Sequence, residues 1–269
     1  MSSRPVLVAV APNGARRSPS DHPALPMTAA DLARTAAACA EAGAAMIHLH
    51  VRNAAGEHVL DADLVRQAIA AIRAAVGERM VIQVTTESTG RYFREKQMAL
   101  VRDVRPEAVS LALREMCPAE DNVPDFAAFL AWLATERIAV QHILYEPADV
   151  SRLAAFVERG VIPDARPVQS LCVLGRYGAR DAKPADLLPF LAAGAERFGR
   201  FMVCAFGPAE APCVVTGALL GGDVRVGFEN NLWLPDGELA PDNAALVAAV
   251  VDSLGRLGLA PAQADDARK

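Results

Sequence analysis

Residues 46–52 read Met46-Ile47-His48-Leu49-His50-Val51-Arg52, an apolar run whose second half carries a basic side chain at every other position. In extended backbone, residues two apart point the same way. Ile47, Leu49 and Val51 therefore share one face, and His48 and His50 the other. Helical patterns stand on both sides of this strand. Upstream, Thr28 and Asp31 form a capping-box signature at the start of a helix that reaches Gly43, with Asp in place of the usual Glu or Gln. Downstream, Asp61 caps a helix with the stripe Leu64, Val65, Ala68, Ile69, Ile72 and Val76, which Gly77 stops. A third helical stripe, Leu246, Val247, Val250, Val251, Leu254 and Leu257, follows Pro241 and Asp242.

The strand–helix unit recurs along the chain. Strand-like runs occupy 6–10, 46–51, 80–85, 108–113, 138–144, 168–174, 201–206 and 224–228. Most are continuously apolar, as parallel strands covered on both faces are. Eight such units in about 250 residues predict an α/β fold, a single (β/α)8 TIM barrel. The expected domain is 1–269, with an Ala-, Asp- and Pro-containing tail over 259–269 that frays. A doubly wound sheet fits less well, because no Gly-x-Gly-x-x-Gly follows the first run.

Composition narrows the function classes. The chain has 269 residues, and 27 Lys+Arg against 32 Asp+Glu give a net charge of −5. At 52% hydrophobic and 22% charged it is not an extended disordered chain, and its mild acidity argues against nucleic acid as a partner. No apolar run is long enough to span a membrane. Five cysteines without a Cys-x-x-Cys pair read as reduced thiols, and no signal-peptide pattern precedes the first run, so a cytoplasmic location is expected.

In a barrel the chemistry sits at the C-terminal ends of the strands. His48 and His50 face the axis together there, and converging neutral imidazoles are good ligands for a divalent cation. Glu229, at the end of the eighth run, is placed to complete a three-ligand site with an open position, since the second and eighth strands both flank the first. Two imidazoles and a carboxylate suit Zn2+ and also non-haem iron. Of the other histidines, His58 lies in a turn and reads as solvated, His142 as a core residue, and His22 as part of a loop that can fold over the mouth. Cys117 reads as a packed thiol, and Trp233 is placed to close over the site.

Asn13-Gly-Ala, His22-Pro-Ala-Leu-Pro, the block from Ala42 to Arg52, and Arg225-Val-Gly-Phe-Glu-Asn-Asn231 together resemble the β-keto acid cleavage enzymes, typified by 3-keto-5-aminohexanoate cleavage enzyme. The resemblance runs in order through nearly the whole chain. It implies a zinc-dependent barrel, usually oligomeric (here expected as a homodimer or homotetramer), that condenses a β-keto acid with acetyl-CoA to give acetoacetate and a new acyl-CoA. Carried over by motif, the zinc ligands are His48, His50 and Glu229, and the active-site arginine is Arg225. The hydroxyls that meet the substrate carboxylate fall on Thr85 and Ser110. Asn13 joins the substrate-binding set.

Two positions depart from the family pattern. Asn230 stands where the family has an Asp that partners the arginine, and an amide cannot take a proton. Arg16 stands where the family has an acidic residue. We place Arg16 on an anionic part of the substrate or a CoA phosphate. Arg114 and Glu115, after the fourth run, suggest a substrate more polar or more anionic than an amino-hexanoate. Glu87, Glu115 and Glu146 are the candidate bases, and Arg225, Asn230 and Glu87 form the expected catalytic set. Gly175 and Arg176, in Gly175-Arg176-Tyr177-Gly178, either cradle CoA or form an ordinary turn. Alternatives of other kinds are a CoA-independent, metal-assisted lyase or hydrolase and a catalytically silent metal and ligand binder.

Overall fold

The computed structural model describes residues 4–163 and 167–268. Its sheet is a closed parallel barrel, β1-β2-β3-β4-β5-β6-β7-β8, in which the strands are Val8–Val10, Met46–Leu49, Val81–Val84, Ala108–Ala112, Ala139–Leu144, Val168–Leu174, Gly199–Ala205 and Asp223–Val226. Closure is made by β1, which pairs with β2 (Ala9 beside Met46) and with β8 (Val8 beside Val224). The expected barrel is therefore present, and a doubly wound sheet is excluded. β2 and β8 end two residues earlier than their apolar runs, and β3, β4 and β7 one residue earlier.

Alternation along each strand divides the core in two. Val8, Val10, Ile47, Leu49, Ile82, Val84 and Val109 point outward and pack with the helices in the larger cluster. Ala9, Met46, Val81, Ala108, Leu171, Val173, Met202 and Cys204 fill the inside. His48, Gln83, Ser110, Gln141 and Arg225 share the parity of that inner set, so the polar side chains of these strands collect on the axis.

The helix boundaries follow the caps. Thr28 and Asp31 make a reciprocal capping box at Ala29–Glu41. Asp61 accepts from the amides of Asp63 and Leu64 (2.9 Å each) to start Ala62–Val76, and Asp242 accepts from Ala245 (2.8 Å) to start Asn243–Arg256. No helix among the described residues is long and apolar enough to cross a membrane.

The tail differs from the expected frayed segment. Val6 pairs with Pro261, the Val6 amide donates to Ala260 O and the Ala262 amide to Val6 O (2.8 Å each), and Ala264–Arg268 is helical. Ala262 and Ala264 join the inner cluster. Small apolar residues are what the narrow lower end of the barrel accepts, so a composition that suggests fraying instead forms a plug.

Candidate active site

Two segments bring the donor atoms together. His48 lies on β2 in register with Gln83 of β3, and His50 follows just beyond the strand. Glu229 arrives on the turn after β8. Successive amides of that turn are pinned: Gly227 donates to Glu210 Oε1 (3.1 Å), Phe228 to Asn243 Oδ1 (2.8 Å) and Glu229 to Ala11 O (3.0 Å). Gly14, at φ +58°, lies beneath the glutamate, and a Cβ on it would stand 2.5 Å from Glu229 Cγ. Only a bare backbone lets the carboxylate reach its position.

His50 Nε2 is 3.1 Å from His48 Nε2 and 3.3 Å from Glu229 Oε2, which is 3.8 Å from His48 Nε2. His48 Nδ1 bonds Gln83 Oε1 (2.8 Å), while Gln83 Nε2 donates to Gln141 Oε1 (3.2 Å). The amide orientation is thus fixed, Nδ1 carries the proton, and His48 Nε2 presents a lone pair. Glu229 Oε2 is buried without a hydrogen bond. Two imidazole nitrogens and a carboxylate oxygen are thus crowded together, and between them the two rings can share one proton at most, which leaves lone pairs directed at a common centre. Tetrahedral ligands at zinc–nitrogen distances of about 2.0–2.1 Å lie roughly 3.3 Å apart, so the donor set fits a divalent cation.

Electrostatics keep the donors in ligand form. Burial pushes the His48 pKa down to about 3. Burial opposes the charge on Glu229, but Arg225 and then the two imidazoles outweigh it and hold the carboxyl well below its ordinary value. Arg225 is buried on the inner face of β8. One of its terminal nitrogens donates to Glu229 Oε1 (3.0 Å) and lies 3.4 Å from Cys204 Sγ and 3.5 Å from Asn230 Oδ1, while its Nε–H has no partner. Asn230 does not line the cavity. It backs Arg225, the arginine that the residue at this position is expected to partner.

Above the donors opens a cavity of about 360 Å3 at the C-terminal mouth, lined among others by His48, Glu229, Arg225, Thr85, Glu87 and Asn13. Asn13 Nδ2 donates to Pro26 O (2.9 Å) and His50 O (3.3 Å), so it also ties the first loop to the second stave. Thr85 Oγ1 accepts from the Glu87 amide (3.1 Å), and Glu87 Oε2 stands 3.9 Å from His50 Nδ1. Burial, with Glu229 adding to it, pushes the Glu87 carboxyl above its ordinary value despite His50 and Arg16. Arg16, Arg114, Gly175 and Arg176 all line the same cavity. Arg16 and Arg17 reach the Tyr177 ring, with guanidinium carbons 5.9 and 5.3 Å from its centroid.

A family model for beta-keto acid cleavage enzymes matches residues 5–269. The chain belongs to the β-keto acid cleavage enzyme family. This cleavage enzyme is 26% identical to the 3,5-dioxohexanoate:acetyl-CoA acetone transferase of Paraburkholderia graminis, across 100% of this chain and 96% of that one. It is 29% identical to the 3-oxoadipate:acetyl-CoA acetyltransferase of Cupriavidus necator, across 97% and 94%. Among solved structures, the binary complex of ObcA with oxaloacetate has a TM-score of 0.75 at 16% identity, covering 91% of this chain and 66% of that chain. That likeness concerns the barrel alone.

Three expectations about the cleavage enzyme's site are revised. Ser110 is fully buried, its Oγ has no partner, and it does not line the cavity. β4 runs on to Ala112 and turns directly into the short helix Leu113–Met116, so Arg114 and Glu115 are the side chains that reach the mouth on this stave. His58, read as solvated, is buried: an antiparallel bridge between Arg52 and His58 folds the turn inward, and its ring lies 5.0 Å from His50 with Nε2 bonded to Glu87 O (3.0 Å). Trp233 does not close over the site. It pairs with Leu239 and stays 43% exposed. Gln83 and Glu210 lie outside the sequence-based expectations. Gln83 was open to discovery, since period-2 parity places it on the axis with Thr85. Glu210 was not, because it lies on the helix Glu210–Leu219 and meets the Glu229 turn only through tertiary packing.

Proposed function

We propose that this enzyme condenses a β-keto acid with acetyl-CoA, releasing acetoacetate and a new acyl-CoA, at a zinc ion held by His48, His50 and Glu229. The observation that carries this reading is the convergence of His48, His50 and Glu229, whose Oε2 has no hydrogen-bond partner, beside Arg225 inside a family member's barrel mouth. Bound there, zinc supplies Lewis acidity toward the keto carbonyl.

The chain's own groups account for the rest. Arg225, through its guanidinium, and Thr85, through its hydroxyl proton, hold the substrate carboxylate. Glu87 takes a proton from C2, which lies between two carbonyl carbons. Its raised pKa suits a base of this kind better than that of an ordinary surface carboxylate. The C2 electron pair bonds to the thioester carbon of acetyl-CoA, and the C–S bond breaks to release the CoA thiolate. The thiolate then adds to the original keto carbon, the C2–C3 bond breaks, and C2 recovers its proton from Glu87. Acetoacetate and acyl-CoA leave. Gly175 and Arg176, with Arg16, Arg17 and the Tyr177 ring, form the basic sector that meets the CoA phosphates. The five cysteines, all unpaired and buried, support work in a reducing compartment such as the cytoplasm.

Turnover of a β-keto acid with acetyl-CoA carrying 13C in its acetyl group tests the reading. The expected product is acetoacetate with both labelled carbons at C3 and C4, formed with unlabelled acyl-CoA. Cleavage that proceeds without the thioester would overturn it. The purified enzyme should also hold about one zinc per chain, absent from Glu229→Gln by elemental analysis.

A further inference from the structure

Four guanidinium groups line this mouth besides Arg225, and they divide into two sectors. Arg16, Arg17 and Arg176 gather on the loops after β1 and β6, around Tyr177. Arg114 stands apart. It follows β4, which lies opposite β8 in the ring of eight strands, so it faces Arg225 and Glu229 across the mouth.

Arg114 is held but not neutralised. Its guanidinium carbon lies over the Tyr145 ring, 3.5 Å from the centroid, a contact that holds the group without using its N–H donors. It forms no hydrogen bond and no ion pair among the described residues. The nearby carboxylates are otherwise engaged. Glu115 accepts from the Ser88 amide (3.2 Å) and Gln97 Nε2 (2.8 Å), Glu229 is held by Arg225, and Glu87 lies beside His50. The wall between the two arginines is apolar, contributed by Ile143, Leu171 and Val173. A short hydrocarbon segment crosses such a wall without penalty, whereas a cationic tail would meet an unneutralised arginine.

Building on the reaction proposed above, we infer that Arg114 is a specificity-determining residue, and that the substrate is a β-keto acid whose far end carries a second anionic group. Arg225 takes the carboxylate next to the reacting carbons, and Arg114, braced on Tyr145, takes the distal one through a two-point hydrogen-bonded pair.

The test compares kcat/KM for 3-oxoadipate, for the matched monoacid 3-oxohexanoate, and for 3-keto-5-aminohexanoate in wild type, Arg114→Ala and Arg114→Glu. The wild-type enzyme should prefer the diacid. The diacid-to-monoacid ratio should fall about 10- to 100-fold in Arg114→Ala, the span of one charge-assisted hydrogen bond or pair. Arg114→Glu should shift preference toward the aminated acid. Calorimetric binding of 3-oxoadipate should weaken by a similar factor in Arg114→Ala. A wild type that handles monoacid and diacid equally, or an Arg114→Ala that lowers both alike, overturns the inference while leaving the acyl transfer intact. An Arg114→Ala effect confined to the KM for acetyl-CoA overturns it as well and assigns Arg114 to the phosphates. No labelled acetoacetate from any β-keto acid sinks the underlying reaction instead.

Discussion

At the scale of single residues, the proposed cation site depends on two neighbours that contribute no donor atom to it. Gln83 decides which nitrogen of His48 is bare, because its carbonyl oxygen can only accept and so keeps the proton on Nδ1. Gln83→Leu should leave the barrel folded yet weaken zinc binding about 10- to 100-fold, measured by competition with a chelator. Gly14→Ala should do more. It forces a left-handed backbone onto alanine and a methyl group into Glu229 Cγ, and should cost about 1–3 kcal/mol in stability, with zinc content falling in parallel. If Gly14→Ala retains full zinc occupancy, the close packing beneath the glutamate is not what sets its position. The convergence of His48, His50 and Glu229 was legible in the sequence, because strand parity and strand ends are local properties. The full burial of Ser110 and the inward place of His58 were not. Where β4 stops, and which way the 53–57 turn folds, are decided by packing against other segments.

At the scale of elements, the C-terminal helix Ala264–Arg268 does what its composition conceals. Arg268 Nε donates to Glu107 Oε1 (2.7 Å), and its terminal nitrogens reach Glu78 and the Met80 carbonyl, so the tail is tied to the loops beneath β3 and β4. Burial raises the pKa of the Glu107 carboxyl, but the hydrogen bonds and charge of Arg268, then Arg73, outweigh it and hold the group below its ordinary value. A carboxyl whose folded pKa is lowered contributes stability above its unfolded pKa of about 4.3, and loses it as pH falls through the folded value. Arg268→Ala should therefore lower Tm by about 2–4 °C at neutral pH, corresponding to roughly 1 kcal/mol at this partly wet site. The difference from wild type should shrink as the buffer is taken below about pH 4. A gap that stays constant across that range would assign the effect to packing of the helix alone. The caps at Thr28, Asp61 and Asp242 were readable because each is a short-range pattern, whereas the plug joins residues about 250 positions apart in sequence.

At the scale of the whole molecule, the polar and apolar ends of the barrel have separate tasks. The lower end is sealed by Ala262 and Ala264, and the upper end concentrates positive groups on a chain whose net charge is −5. Such a local field attracts a polyanionic thioester over roughly a Debye length, about 10 Å at 0.1 M salt. The KM for acetyl-CoA should rise with ionic strength, and Arg16→Ala combined with Arg17→Ala should raise it about 5- to 20-fold while flattening that salt dependence. A double variant that keeps the wild-type salt profile would remove these side chains from the thioester's path. The barrel itself was legible, because eight apolar runs at regular spacing admit few other closures. The division of the mouth into sectors was not, because it requires knowing which staves face one another.

The histidines of the proposed cation site lie on and just beyond β2 and its glutamate on the turn after β8, while Arg114 follows β4, a stave that shares no ladder with β2 or β8. Fuel choice and ion retention are thereby uncoupled. Random replacement at 114 should yield variants with altered acid preference and unchanged zinc content, which would allow this barrel to be retrained toward new acids one stave at a time.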